Sequence, residues 1–179
     1  MIKKTTILIV IIVIAIAAFY IFLFLNKGGF GQGNAVGVNG VNISKADLNK
    51  EIQEQIDFYK SRNQKIPDDK TLQTDVTNVL IDNIIVSQYA AKHKITVSTA
   101  EVNNMYAEVV GVFNSHNNIT GASDSAFLTQ INKMYGMDKT EYQENLRMDI
   151  LKEKVQESVG EPLTKWLQEQ KKTADIKIY

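Results

Sequence analysis

The hydrophobic and polar positions divide the chain into an apolar N-terminal run and a longer amphipathic part. Residues Ile7 to Leu25 are 19 consecutive residues without a charged side chain. As an α-helix they would extend about 28 Å, close to the hydrocarbon thickness of a bilayer. The pattern therefore predicts a transmembrane helix over this run.

A cleavable signal peptide is the alternative interpretation, because Ala15-Ile16-Ala17 forms a small-x-small pattern. The apolar run continues for eight residues beyond Ala17, which favours an uncleaved anchor. Lys3 and Lys4 precede the run and outnumber Lys27 after it, so the N-terminus is predicted inside the cell. The expected localisation is the cytoplasmic membrane of a bacterium, with a single pass and an extracytoplasmic C-terminal domain.

A glycine-rich stretch follows the apolar run. Residues 26–34 read NKGGFGQGN, and glycine backbones lose too much conformational entropy to order without partners. The spacing fits neither a dinucleotide fingerprint nor a P-loop, so a tether is favoured over a nucleotide loop. We predict cytoplasmic residues and an anchor over 1–27, a linker over 28–34 and one domain over 35–179.

The domain begins and ends with strand patterns. Asn39-Gly40 accepts positive φ at both central turn positions and stands within Val36 to Ile43, which predicts a two-residue β-hairpin. The chain closes on Asp175 to Tyr179, whose alternation predicts a strand with Ile176 and Ile178 on its buried face. A lone strand is unstable, so this strand is expected to pair with the hairpin.

The interval between these strands has helical periodicity. Three N-terminal capping signals predict three helix starts: Ser44 with Asp47, Ser98 with Glu101, and Asp138 with Glu141. With the apolar spacing, six helices are predicted. The first begins at Ser44, the second runs over Asp69 to Lys92, and the third begins at Ser98. The fourth carries Phe127, Ile131 and Met134 and closes at Gly136, the fifth runs over Lys139 to Val159, and the sixth runs over Leu163 to Lys172. The predicted fold class is mainly α, with a small sheet that joins the hairpin to the C-terminal strand.

Composition and charge exclude several functions. The 179 residues contain no cysteine, which excludes a disulfide scaffold, a zinc-cysteine site and a thiol enzyme. Three of the 20 basic residues and no acidic residue lie in the first 27 positions, so the remainder carries a formal charge of about −3. A basic face for nucleic acid is therefore not expected.

The residues of a catalytic or metal site are not recognisable in the sequence. His93 and His116 have no metal-like spacing to acidic residues and are interpreted as surface histidines. Asp68 and Asp69 are interpreted as first-turn charges of a helix, and no serine stands in a nucleophile elbow. We therefore predict no enzyme activity and no catalytic, metal-binding or cofactor-binding residue.

Several stretches, taken in order, carry a resemblance. They are Ile43 to Leu48 (ISKADL), Val79 to Ile85 (VLIDNII), Gln88 to Lys92 (QYAAK), Ile95 to Val102 (ITVSTAEV), Tyr142 to Arg147 (YQENLR) and Ala174 to Tyr179 (ADIKIY). Together they resemble the N-terminal chaperone domain of the SurA and PrsA family of extracytoplasmic folding factors. The resemblance covers nearly all of Ala35 to Tyr179.

The resemblance has two departures. The family usually carries a parvulin-type prolyl isomerase domain between the long helix and the last helix, where this chain has only Gln156 to Pro162. The resemblance therefore implies the chaperone module without the isomerase. The family also often has glycine before the ITVS stretch, where this chain has His93-Lys94. This departure concerns the local turn geometry and not the fold.

The resemblance implies that the ligand is unfolded, partly folded or nascent secreted polypeptide. Flexible and aromatic side chains adapt to varied sequences, and the candidate binding residues are Met105, Tyr106, Phe113, Phe127, Met134, Tyr135 and Met137. The alternative interpretation is that most of them are core residues, and Tyr135 and Met137, beside Gly136, are expected to be the most exposed. Two alternatives stay open: an adaptor that docks one dedicated envelope partner, and, less favoured, a prolyl isomerase.

Overall fold

The structure is a computed structural model that describes residues 33–119 and 123–179. The predicted transmembrane helix Ile7 to Leu25 and most of the predicted linker lie outside these residues. Within the described ranges, the helices are too short or too polar to cross a membrane.

The described residues form a mainly helical domain with one small antiparallel sheet. In chain order the elements are β1 (Asn34–Val38), β2 (Val41–Ser44), α1 (Lys45–Ser61), α2 (Asp69–His93), α3 (Thr99–His116), α4 (Ser125–Tyr135), α5 (Lys139–Val159), α6 (Leu163–Thr173) and β3 (Ile176–Ile178). The predicted fold class is confirmed for this part of the chain, and the predicted bounds of α5 are those observed.

The N-terminal hairpin forms where the turn signal predicted it. Strands β1 and β2 pair antiparallel, with Val36 opposite Ile43 and Val38 opposite Val41. Asn39 and Gly40 connect them with φ values of 50° and 85°, so both central residues of the turn are left-handed. The twist of such a turn matches the twist of the paired strands, and Asn-Gly readily adopts it, so this dipeptide predicts a hairpin.

The C-terminal strand joins the hairpin, as predicted. The strand order is β2-β1-β3, and β3 pairs antiparallel with β1. Val36 stands opposite Ile178, and Val38 stands opposite Ile176. The two ends of the domain therefore meet in one sheet.

The prediction that Ile178 is buried was wrong. Its side chain is 75% exposed, whereas Val36, directly opposite on β1, is 1% exposed. Strand β1 is central and contacts α1 and α2, whereas β3 is at the edge of the sheet. Ile176 is partly buried against the core, whereas Ile178 is exposed on this edge strand.

The three predicted capping signals are all present. Ser44 Oγ accepts a hydrogen bond from the Asp47 backbone N–H at 3.1 Å and begins α1. Reciprocal capping boxes begin two further helices, formed by Ser98 with Glu101 at α3 and by Asp138 with Glu141 at α5. These bonds satisfy backbone N–H groups that have no partner inside the first turn of a helix.

Three helices end in the left-handed region. Gly136 and Gly160 close α4 and α5 with φ values of 71° and 72°, as expected for glycine. Lys94 closes α2 with φ 58°. The local turn is therefore the one that a glycine would favour, although the residue carries a Cβ atom.

The side chains form two separate hydrophobic clusters. The sheet core contains buried residues of the sheet, α1, α2 and α6 together with Val155 of α5. The helical core contains buried residues of α3 and α4 together with Leu146 and Ile150 of α5. Helix α5 therefore connects the two clusters. Helix α2 contributes eight buried residues.

Candidate polypeptide-binding surface

Five of the seven predicted binding residues belong to the helical core or pack against it. Tyr106 and Phe127 are buried members of that core. Met105, Phe113 and Tyr135 are partly buried and pack against it. The remaining two are the half-buried Met134 and the buried Met137. A role of these residues in binding stays a prediction.

An aromatic cluster explains why several of these side chains are covered. The Phe127 ring makes edge-to-face contacts with Tyr106, Phe113 and Tyr142, at centroid distances of 5.9, 5.4 and 5.2 Å. Such contacts add about 0.5 to 1.5 kcal/mol per pair to the free energy of burial. These rings therefore hold α3, α4 and α5 together.

The expectation that Met137 is exposed was wrong, since it is 8% exposed. Gly136 ends α4 in the left-handed conformation, and the residue after such a glycine commonly packs back against the helix it follows. The Asn145 amide Nδ2 donates a hydrogen bond to Met137 Sδ at 3.3 Å. Tyr135 is partly covered as well, because its ring stacks on Phe58 at 5.3 Å.

An open groove lies along α3, beside the segment that leads into α4. Its volume is about 620 Å³, and its lining residues are Tyr106, Ala107, Val110, Gly111, Asn114, Ser115, Ile119 and Asp124. Tyr106 is the one member of the predicted set among them. We refer to this surface as the α3 groove.

Small residues of α3 line the groove and leave open space beside the helix. Ala107, Gly111 and Ser115 recur every four residues on one face of α3. A Cβ atom built on Gly111 meets no heavy atom within 4 Å, so the space above this glycine is open. These residues are not among the predicted binding residues, although their four-residue spacing is readable in the sequence.

A buried amide adds a polar group to the groove. Asn114 is 6% exposed, and its Nδ2 donates to the Ser123 carbonyl at 3.1 Å. Within the described part of the chain, its Oδ1 accepts no hydrogen bond. Most buried polar atoms in proteins are paired, so an unpaired acceptor is uncommon. The sequence carries no signal for this residue, because its burial depends on tertiary packing.

An ion pair between Asp124 and Lys139 borders the groove, which Asp124 lines. The Tyr106 hydroxyl and the Lys139 ammonium both donate to Asp124 Oδ2, at 2.8 and 2.7 Å. Lys139 first, and then Tyr106, hold the pKa of the Asp124 carboxyl below its usual value. Burial and the bond to Asp124 raise the pKa of the Tyr106 phenol. The carboxylate is therefore ionised and the phenol protonated at neutral pH, which suits a structural contact.

The histidines and acidic residues form no metal site in residues 33–119 and 123–179. His93 is exposed and its ring stacks on Tyr89 at 4.0 Å. His116 is exposed and its Nδ1 lies 3.0 Å from the Val112 carbonyl oxygen. The prediction of surface histidines is confirmed.

The comparison with known proteins gives the family. Residues 1–156 match the model of the SurA-like N-terminal domain. The chain belongs to this family. The resemblance inferred from the sequence motifs is therefore confirmed.

Curated relatives of this SurA-like domain are proteins named Chaperone SurA. Those of Legionella pneumophila strains Lens and Paris are each 27% identical to the chain over 127 residues. The matched region is 70% of this chain and 28% of each relative. The chain thus spans less than a third of the length of the curated relatives that it matches.

Proposed function

We propose that this SurA-like domain is a membrane-anchored, extracytoplasmic chaperone that binds unfolded or partly folded secreted polypeptides without isomerase activity. Membership of the SurA-like family carries the proposal. The name of the curated relatives, Chaperone SurA, points to the same general function.

The geometry of the α3 groove supports binding of an extended chain. The groove combines an apolar wall at Val110 and Ile119 with the open space above Gly111. Ligand sites in proteins are commonly concave, mostly apolar surfaces with a few polar groups. A surface of small residues accommodates ligand side chains of different sizes. A protein that binds many different sequences needs such a surface.

The absence of isomerase activity is proposed from the connection between α5 and α6. Helix α5 ends at Val159 and α6 begins at Leu163, so only Gly160, Glu161 and Pro162 join them. This is the position at which the family resemblance expects an inserted parvulin-type domain. A three-residue connection has no space for such a domain.

Membrane anchoring is proposed from the apolar run and its flanking charges. Ile7 to Leu25 has the length of a membrane span, and lysines precede it. An anchored domain on the outer side of the cytoplasmic membrane would meet secreted polypeptides as they emerge unfolded. Protease added to spheroplasts should therefore digest the domain, and protection of the domain there would contradict this topology.

The chaperone proposal is tested with the full chain in lipid nanodiscs. It should suppress light scattering by an aggregating, chemically unfolded secreted protein. It should leave the isomerisation of a proline peptide at the uncatalysed rate, with a time of tens to hundreds of seconds. Faster isomerisation would contradict the second half of the proposal. Unchanged aggregation would contradict the first half.

A matched pair of variants tests the α3 groove. At Gly111 an added Cβ atom meets no heavy atom within 4 Å, and leucine has a higher helix propensity than glycine, so we expect Gly111→Leu to fold and to add bulk at the groove. Val112→Leu adds bulk at the next residue, which is exposed and does not line the groove. We expect a loss of client binding of at least tenfold for Gly111→Leu and little change for Val112→Leu. Equal binding by both variants would exclude the groove.

Mass spectrometry of the polypeptides bound to the chain separates the chaperone from the adaptor. Many weakly bound polypeptides are expected for a chaperone. A single tightly bound partner would support the adaptor instead.

A further inference from the structure

One edge of the sheet carries backbone groups without a strand partner. Strand β3 pairs with β1 on one side, and no described strand pairs with it on the other. The Tyr179 N–H donates to the Ala35 carbonyl at 3.0 Å, and the Asp175 backbone carbonyl accepts from the Asn39 N–H at 2.9 Å. Residues 175 and 179 therefore face β1.

The alternation of an antiparallel ladder then decides the orientation of the other residues. Every second residue directs its N–H and C=O to the same neighbour. Lys177 therefore faces β1 together with Asp175 and Tyr179, whereas Ile176 and Ile178 direct their N–H and C=O groups to the free edge. Two consecutive pairing positions of an antiparallel strand are thus available.

The side chains at this edge are suited to an apolar ligand. Ile178 is 75% exposed although it lies on the face of the sheet that packs on the core. A strand added beside β3 would place its own side chains next to Ile176 and Ile178 on that face. The edge thus combines main-chain hydrogen bonding with an apolar contact.

We propose that β3 binds an extended segment of a client polypeptide as a fourth, antiparallel strand. This inference rests on the proposed chaperone function and gives that function a binding mode. Strand addition obtains its affinity from main-chain hydrogen bonds, which every polypeptide can make, and its selectivity from alternate side chains. The edge therefore takes segments with apolar residues at alternate positions.

The charges on β3 fit this occupant. A lysine on an edge strand usually opposes strand addition. Here Lys177 Nζ lies 2.9 Å from Oδ2 of Asp175, the residue that immediately precedes β3. The charge of Lys177 is therefore offset by that of Asp175, and this ion pair does not oppose a neutral segment.

A second copy of the chain fits the edge less well. The antiparallel register that pairs Ile176 of one copy with Ile178 of the other would set the two Lys177 side chains directly opposite each other. Like charges at directly opposed positions destabilise a strand pair. A client segment with a neutral or acidic residue opposite Lys177 avoids this repulsion.

Hydrogen exchange of the full chain in nanodiscs tests the proposal without a mutation. The probe is a soluble peptide of alternating valine and threonine. When it binds, the amide exchange of Ile176 and Ile178 should slow at least tenfold. The amide of Tyr179, which is already bonded to Ala35, should change little.

A proline variant provides the second test. Ile178→Pro removes an N–H that points to the free edge and leaves the Tyr179 to Ala35 bond in place. The control Ile178→Val keeps both the N–H and a β-branched side chain. Fluorescence anisotropy of the labelled peptide should show at least tenfold weaker binding to Ile178→Pro and less than threefold weaker binding to Ile178→Val.

The outcomes separate this inference from the proposed function. If the chain binds unfolded clients and the amides of Ile176 and Ile178 exchange as before, strand addition is wrong and the chaperone function stands. If the chain binds no unfolded client, the chaperone function itself fails. If the hydrogen exchange of these amides slows when the protein concentration is raised in the absence of peptide, a second copy occupies the edge and the client assignment is wrong.

Discussion

The two hydrophobic clusters of the domain differ in how they are built. The sheet core is mostly aliphatic and is closed by the first and last strands of the domain, which lie far apart in the sequence. The helical core is centred on aromatic rings and draws all its buried residues from Val102 to Ile150. One cluster therefore depends on the whole chain, whereas the other depends on three neighbouring helices.

The two clusters also differ in the surface features that lie beside them. The α3 groove, the unpaired Asn114 Oδ1 and the contact of Asp124 with Tyr106 all belong to the side of the helical core. Strand β3, by contrast, exposes its free edge at the periphery of the sheet core. We therefore expect the sheet core to determine global stability and the helical core to open locally at lower free energy.

Truncation in the sheet core should have the largest effect. Trp166 is buried and its ring meets Tyr89 edge-to-face at 4.9 Å. Trp166→Ala should lower the free energy of unfolding by about 3 to 5 kcal/mol, measured by urea denaturation. Val79→Ala, at an exposed position of α2, is the control and should change it by less than about 0.5 kcal/mol. A loss below about 1 kcal/mol for Trp166→Ala would contradict the role of the sheet core.

Loosening the aromatic cluster should have a smaller and more local effect. Phe127→Leu keeps an apolar side chain but removes three edge-to-face contacts. We expect a loss of about 1 to 2 kcal/mol. Native-state hydrogen exchange should show faster opening of α3 and α4 while the amides of β1 keep their protection. Equal acceleration in both regions would show that the two clusters unfold as one unit.

A change at the end of α2 should stabilise the domain. Lys94 has φ 58°, a conformation that costs a residue with a Cβ atom roughly 1 to 2 kcal/mol. Glycine loses more backbone entropy on folding, so the net gain from Lys94→Gly should be below about 1 kcal/mol. Gly160→Ala, at φ 72°, should do the opposite. Thermal melting of the pair measures both changes, and a destabilised Lys94→Gly would refute the explanation.

Acid should have the smallest effect, because the carboxylates concerned are exposed to solvent. The Lys154 ammonium, and then Ser98, lower the pKa of Glu101 to about 2. A lowered folded-state pKa contributes stability above the ordinary pKa of glutamate, and this stability is lost as the pH falls towards about 2. Glu101→Gln should therefore flatten the decline in stability between about pH 4.5 and pH 2. An unchanged decline would show that the ion pair with Lys154 contributes nothing.

Much of the fold could be predicted because its signals are local. The Asn39-Gly40 turn, the capping residues Ser98 and Asp138, and the glycine at 136 act on backbone within four residues of themselves. Hydrophobic periodicity gave the helices for the same reason. The pairing of β3 with β1 is a long-range contact, and it was predictable because the strand patterns recognised in the domain offered no other partner.

The candidate site was predicted less well. Met and aromatic residues were chosen for their chemistry, yet Phe127 and Met137 are buried. The α3 groove depends instead on the smallness of Gly111 and on the burial of Asn114. A chemical preference of side chains does not reveal which of them the neighbouring helices cover.

The sequence by itself determined the order of helices and strands, the starts of the capped helices and the family to which the domain belongs, because these depend on residues in a fixed order. Tertiary structure alone decided which apolar residues meet solvent. Ile176 and Ile178 have the same side chain and lie on the same face of one strand, yet Ile176 packs on the core and Ile178 does not. Their difference depends on packing between distant segments, which the residue pattern of a single strand does not contain.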